Sequence, residues 1–220
     1  MSAAFFDLDG TLWAVSVERA FAGHLAHLGI LKKRQLGAVL WNYLRYELGM
    51  FSDHDAFKTA AIRELFTQVE SARIEELYFD YFENNLKPLF YSAMVKRVEN
   101  HKRAGERVVV ISASLAFMVR PAAHHIGADD SFGTELAVTS GRYTGEVLGR
   151  IHYAEKKGIT VKEYSKTYGL DLSLCYAYGD RFEDRYMLDL VGHPAAVNPG
   201  RKLSKFANIR NWQTIRVPSV

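Results

Sequence analysis

Four consecutive β-branched residues, Val108-Val109-Val110-Ile111, constrain this chain more than any other feature. Side chains of a strand alternate between the two faces of a sheet. A run that is apolar at every position is therefore buried on both faces, as in a parallel sheet covered by helices on each side. Ala3-Ala4-Phe5-Phe6 and Leu174-Cys175-Tyr176-Ala177-Tyr178 have the same texture. Apolar residues at three- and four-residue spacing lie between these runs and read as helices. Strand alternating with helix predicts an α/β fold, a doubly wound parallel sheet.

The longest helical stretch runs from about Ser16 to Leu86 with no β-rich interruption. Phe21, Leu25 and Leu28, then Leu36, Val39, Leu40, Tyr43 and Leu44, keep helical spacing. Ser52-Asp53 reads as an N-cap before Ala56–Val69, and Ser71 opens a further helix. Four helices inserted after the first strand make a helical cap over 15–87. The sheet domain then comprises 1–14 and 88–220. Residues 41–91 are unusually aromatic, including Trp41, Tyr43, Tyr46, Phe51, Phe66, Tyr78, Phe82 and Phe90. The expectation is a mini-core within the cap, with some rings left for an apolar substrate pocket or a contact with a second copy of the chain. Downstream, Thr134–Val138, the turn Ser140-Gly141-Arg142 and Tyr143-Thr144-Gly145 read as a hairpin.

Polar residues gather where the apolar runs stop. The first run ends in Asp7-Leu8-Asp9-Gly10-Thr11, and alternation predicts that the Asp7 and Asp9 side chains point together. Two carboxylates that close repel, and a cation or a shared proton relieves them. Gly10 lets the chain turn there. The second run ends in Ser112-Ala113, just ahead of a helix whose free N–H groups suit an anion. Lys156 and Lys157 lie at the start of another helix, where a cation opposes the dipole unless an anion is present. The third run ends in Gly179-Asp180, with Asp184 four residues on. In open α/β sheets, ligands bind outside the carboxyl ends of the strands, where these groups converge.

Composition narrows the alternatives. With 48% apolar and 24% charged residues the chain is an ordinary globular protein. A net charge of +3, with Lys and Arg dispersed, argues against a nucleic-acid partner. No signal-peptide pattern appears, and no apolar run reaches the roughly 18 residues of a membrane span. The single cysteine, Cys175, excludes an internal disulfide and reads as a buried structural thiol. These features predict a reducing, cytoplasmic setting.

Together the motifs resemble those of the haloacid dehalogenase-like (HAD) hydrolase superfamily, subfamily IB, the group of phosphoserine phosphatase. Asp7-Leu8-Asp9-Gly10-Thr11 is similar to its first motif, Val108–Ser112 to its second, and Gly179-Asp180 with Asp184 to its fourth. The lysine motif aligns with Ala154-Glu155-Lys156-Lys157, with Lys157 the first choice and Lys156 the second. The resemblance implies a Rossmann-like core with a helical cap, and a Mg²⁺-dependent phosphatase of small phosphomonoesters. It further implies that Asp7 attacks phosphorus and that Asp9 is the general acid and base. Asp7, Asp180 and the main-chain carbonyl of Asp9 would hold the metal. Gly10, Thr11, Ser112, Ala113 and Lys157 would bind phosphate, with Asp184 in support. Glu18 and Arg63 are the candidate cap residues that grip the substrate. Gly10 departs from the Ser usual in phosphoserine phosphatases, so histidinol phosphate and lysophospholipid-type phosphates are alternative substrates. A dehalogenase is disfavoured by Asp9, and a non-catalytic phosphate-binding module by the intact motifs.

Overall fold

A computed structural model describes residues 1–31 and 54–218, together with 34, 35, 37, 38, 41 and 45. The expected helix positions Leu36, Val39, Leu40, Tyr43 and Leu44, the Ser52-Asp53 cap, and the rings of Tyr46 and Phe51 lie outside the described residues.

The strands are β1 (Ala3–Phe6), β2 (Arg107–Leu115), β3 (Asp130–Thr139), β4 (Arg142–Leu148), β5 (Tyr176–Gly179), β6 (His193–Val197) and β7 (Gln213–Ile215). They form one sheet in the order β4-β3-β2-β1-β5-β6-β7. Every neighbouring pair is parallel except β3 and β4, the hairpin. The described α-helices are α1 (Val17–His27), α2 (His54–Phe66), α3 (Ser71–Tyr81), α4 (Ser92–Arg103), α5 (Ala116–His125), α6 (Glu155–Tyr168), α7 (Arg185–Leu188) and α8 (Arg201–Ile209).

Residue alternation accounts for the two layers. Ala4, Phe6, Val108 and Val110 face one side, where they pack with Phe21 of α1, Tyr78 of α3, Met94 of α4 and Val119 of α5. Ala3, Phe5, Val109 and Ile111 face the other, against Val161 of α6, Leu188 of α7 and Leu203 of α8. All eight strand residues are fully buried. Burial of about 1.5–3 kcal/mol per large side chain makes this slab the main source of stability. Cys175 is buried as expected. It accepts the Ala3 N–H at 3.3 Å, and burial pushes its thiol pKa up, which keeps it unreactive.

The aromatic insertion corrects one expectation. Among the described residues its rings do not build a core of their own. Phe66, Tyr78 and Phe82 share a cluster with Trp13, Phe117 and the sheet residues. Tyr78 meets Phe21 edge-on at 5.1 Å and Phe117 at 5.7 Å. The passages into and out of the insertion run side by side. Tyr91 donates its N–H to the Leu12 carbonyl at 2.9 Å, and Ala14 donates to Leu89 at 3.3 Å. Among the described residues, no helix is long and apolar enough to cross a membrane.

The topology also sets the crevice. From β1 the chain steps one way through β2, β3 and β4, then returns to β5 on the other flank of β1. The strand order therefore reverses at β1, where ligands settle in open sheets. Phe6 pairs with Val110 on one side and Tyr178 on the other, so Asp7 emerges directly beside Gly179.

Candidate active site

Asp7 follows the last residue of β1 and is 6% exposed, with its N–H on the Tyr178 carbonyl at 2.9 Å. Lys157, in the first turn of α6, is 4% exposed. Its ammonium donates to Asp7 Oδ1 and, at 2.6 Å, to Asp184 Oδ1. Asp184 Oδ2 accepts the N–H groups of Asp180 at 3.1 Å and Arg181 at 2.9 Å. Two residues bordering this cluster must lack side chains. A Cβ on Gly179 would lie 2.5 Å from Asp184 Cβ, and one on Gly10 would lie 2.3 Å from Asp180 Oδ2. Thr11, fully buried, donates its hydroxyl to Asp180 Oδ1 at 3.4 Å.

Asp7, Asp180 and Asp184 each present an oxygen within 4.8 Å of the others. Three hard oxygen donors, whose carboxylates exceed the single Lys157 charge by two, suit Mg²⁺. Burial, with the neighbouring Asp184, raises the Asp7 carboxyl to about 6 against the pull of Lys157. Burial, together with Asp7 and Asp184, raises Asp180 to about 9. Burial alone would lower the Lys157 pKa, but Asp184 and Asp7 outweigh it and push it up.

Asp7 and Asp9 take different hydrogen-bond partners, although the Asp9 charge still helps raise the Asp7 carboxyl. Strand geometry ends at Phe6, and Gly10 turns the chain at φ +84°. Asp9 instead accepts from Trp13 Nε1 at 3.0 Å, Val17 N at 3.2 Å and Ser114 Oγ at 2.9 Å. Ser112 is buried three residues before the last residue of β2, just past a register shift that begins at Ile111, and its Oγ accepts the Ser114 N–H at 3.1 Å. The Ala113 carbonyl accepts the Thr134 hydroxyl at 2.7 Å. Lys156 turns away from Asp7 and pairs with Asp55 of α2.

Glu18 and Arg63 are not brought together. Glu18 pairs with buried Lys58 at 2.6 Å. Arg63 is five residues further along α2, about 140° around the helix from Lys58. It is exposed, with its main chain against the Gly145 turn of β4. Sequence reasoning missed Lys58, Trp13 and Ser114. Ser114 carried a readable signal, a second hydroxyl at the same strand end.

Gly10→Ala tests the crowding. A side chain there meets both a left-handed φ and the Asp180 carboxylate. The expected result is a loss of about 1–3 kcal/mol of stability from the backbone alone, with Mg²⁺ binding weakened by displaced Asp180. Thermal melting and Mg²⁺ calorimetry read it. A variant with unchanged metal affinity would show that the contact is unimportant.

The profile of the haloacid dehalogenase-like hydrolases matches residues 4–189. The chain belongs to that family. A protein named as a probable phosphatase in Mycobacterium tuberculosis is 34% identical over 97% of this chain and 75% of its own length. The histidinol-phosphatase of Neisseria meningitidis is 29% identical over 96% of this chain and 97% of its own. A solved structure described as a phospho-aspartyl intermediate analogue of phosphoserine phosphatase superposes with a TM-score of 0.69 at 20% identity, covering 97% of this chain and 92% of that one. The sheet order and flanking helices are those of the HAD Rossmann-like fold. The chain is thus a HAD-type phosphoric monoester hydrolase.

Proposed function

We propose that the chain is a Mg²⁺-dependent phosphatase of small phosphomonoesters that works through an aspartyl-phosphate on Asp7. The observation that carries this reading is a buried carboxylate, Asp7, bonded to Lys157 and ringed by two further carboxylates at the strand-order reversal. Asp7, Asp180 and the Asp9 main-chain carbonyl would hold the metal, with Asp184 supporting. The ion would cancel repulsion between the carboxylates and the phosphoryl oxygens.

In the first half-reaction an Asp7 oxygen bonds to phosphorus, the ester P–O bond breaks, and Asp9 gives its proton to the departing alcohol. In the second, a water oxygen bonds to phosphorus, the Asp7–phosphorus link breaks, and the water proton returns to Asp9. Lys157 binds the phosphoryl oxygens, while Gly10, Thr11, Ser112 and Ala113 shape the phosphate site. Residues 15–87 act as the cap and 1–14 with 88–220 as the core. Glu18 directly follows Val17, whose N–H holds Asp9, so the Glu18–Lys58 pair borders the site. That pair favours an alcohol bearing charge, as in phosphoserine or histidinol phosphate, over a lysophospholipid-type phosphate. A screen of these phosphomonoesters decides among them.

Metal and pH provide the test. A carboxyl whose pKa is raised by folding binds its proton more tightly in the folded chain than in the unfolded one. Asp180 therefore withdraws stability as pH rises from 3.8 to about 9. In EDTA, the melting temperature of the wild type relative to Asp180→Asn should fall across this window, and Mg²⁺ should restore it at the upper end. Release of p-nitrophenol from its phosphate should require Mg²⁺. Turnover undiminished in EDTA would end the metal-dependent reading.

A further inference from the structure

Among the described residues, two donors from the stretch just after Asp9 and one from the end of β2 converge on its carboxylate, and they treat its two oxygens differently. Oδ1 accepts two N–H groups, from the Trp13 indole at 3.0 Å and the Val17 main chain at 3.2 Å. Oδ2 accepts one hydroxyl, from Ser114 at 2.9 Å. Each carboxylate oxygen offers two lone pairs, so among the described residues Oδ1 is filled and Oδ2 keeps one open place.

We propose that Trp13 and Ser114 are positioning residues that make Oδ2 of Asp9 the oxygen that carries the proton. This rests on the reading of Asp9 as acid and base given above. The indole N–H can only donate, and it cannot swing away. Trp13 is fully buried, with the rings of Phe90 at 4.8 Å and Phe82 at 6.2 Å. With the Val17 N–H it keeps protons off Oδ1. The Ser114 hydroxyl can do either task. It donates to Oδ2 when Asp9 is ionised, and it rotates to accept when Oδ2 bears the proton. Ser114 is itself 3% exposed, and its N–H is anchored on Ser112 Oγ at 3.1 Å. One oxygen is thereby reserved for orientation and the other for transfer. Both protonation states of Asp9 remain hydrogen-bonded through the two half-reactions. Because Phe82 belongs to the insertion and Val17 opens α1, the same contacts tie the acid–base group to the placement of the cap.

Ser114→Ala and Trp13→Phe test the proposal on two aryl substrates of similar shape. p-Nitrophenyl phosphate releases a good leaving group that needs little protonation, whereas phenyl phosphate releases a poorer one that needs more. In both variants kcat on phenyl phosphate should fall about tenfold or more, the lower end of what acid–base catalysis supplies, and on p-nitrophenyl phosphate about threefold or less. KM should stay unchanged, and Ser114→Thr should recover the phenyl phosphate rate. An equal loss on both substrates, unrecovered by Ser114→Thr, would show that these side chains are merely structural. If Trp13→Phe does not fold, Ser114→Ala decides alone. Wild-type protein inert on both substrates would refute the phosphatase mechanism itself rather than this assignment.

Discussion

Asp7→Asn is expected to lower kcat by at least about 10⁴-fold, roughly 5 kcal/mol of barrier, while leaving the fold intact. The amide keeps the shape and an oxygen for the Lys157 ammonium, but it cannot displace an alcohol from phosphorus. It also removes one of three crowded carboxylates whose repulsion, with burial, raises the pKa of Asp180. Melting temperature in EDTA should therefore hold or rise. Steady-state phosphate release and thermal melting measure both effects. Mass spectrometry of acid-quenched wild type should place phosphate on the peptide containing Asp7. A variant retaining activity within tenfold of wild type would remove Asp7 from the nucleophile's role.

Lys157→Met is the second large effect, and it falls on stability as well as turnover. The Lys157 side chain is 5% exposed and balances Asp7 and Asp184. Deleting it leaves buried carboxylates uncompensated, a loss of about 3–5 kcal/mol in EDTA. Mg²⁺ should narrow that gap, because a divalent ion among the same oxygens supplies positive charge. Lys156→Met is the control. That side chain is 40% exposed in its pair with Asp55, and exposed pairs contribute about 0–1 kcal/mol. Denaturant unfolding of both variants, with and without Mg²⁺, makes the comparison. Equal losses from the two lysines would contradict the burial argument.

Some of this was legible in the residues because of how burial writes itself into sequence. Val108–Ile111 is apolar at every position because both its faces are covered, Val110 by one layer and Ile111 by the other. Asp7, Asp180, Asp184 and Lys157 could be nominated because each sits beside the end of such a run or at a helix start. The partners of Asp9 were not legible, because strand geometry stops at Phe6 and alternation does not describe the turn beyond it. The pairing of Glu18 with Lys58 was not legible, because the phase of α2 around its axis depends on what it packs against. The ring-rich insertion looked self-sufficient because composition counts rings without showing which neighbours they meet. Nothing in the spacing of Trp13 shows that its indole N–H serves Asp9.

The sequence by itself determined the strand runs, their parallel arrangement and the chemical types waiting at their ends, since these follow from local periodicity and from burial of both sheet faces. Only the tertiary structure decided which groups meet. The return of the chain to the far side of β1 sets Asp180 and Asp184 against Asp7. The packing of the insertion onto Trp13 turns Asp9 towards Ser114. Such contacts join residues far apart in the chain, as Asp9 and Ser114 are, 105 positions from one another, and no local pattern encodes a distance across the fold.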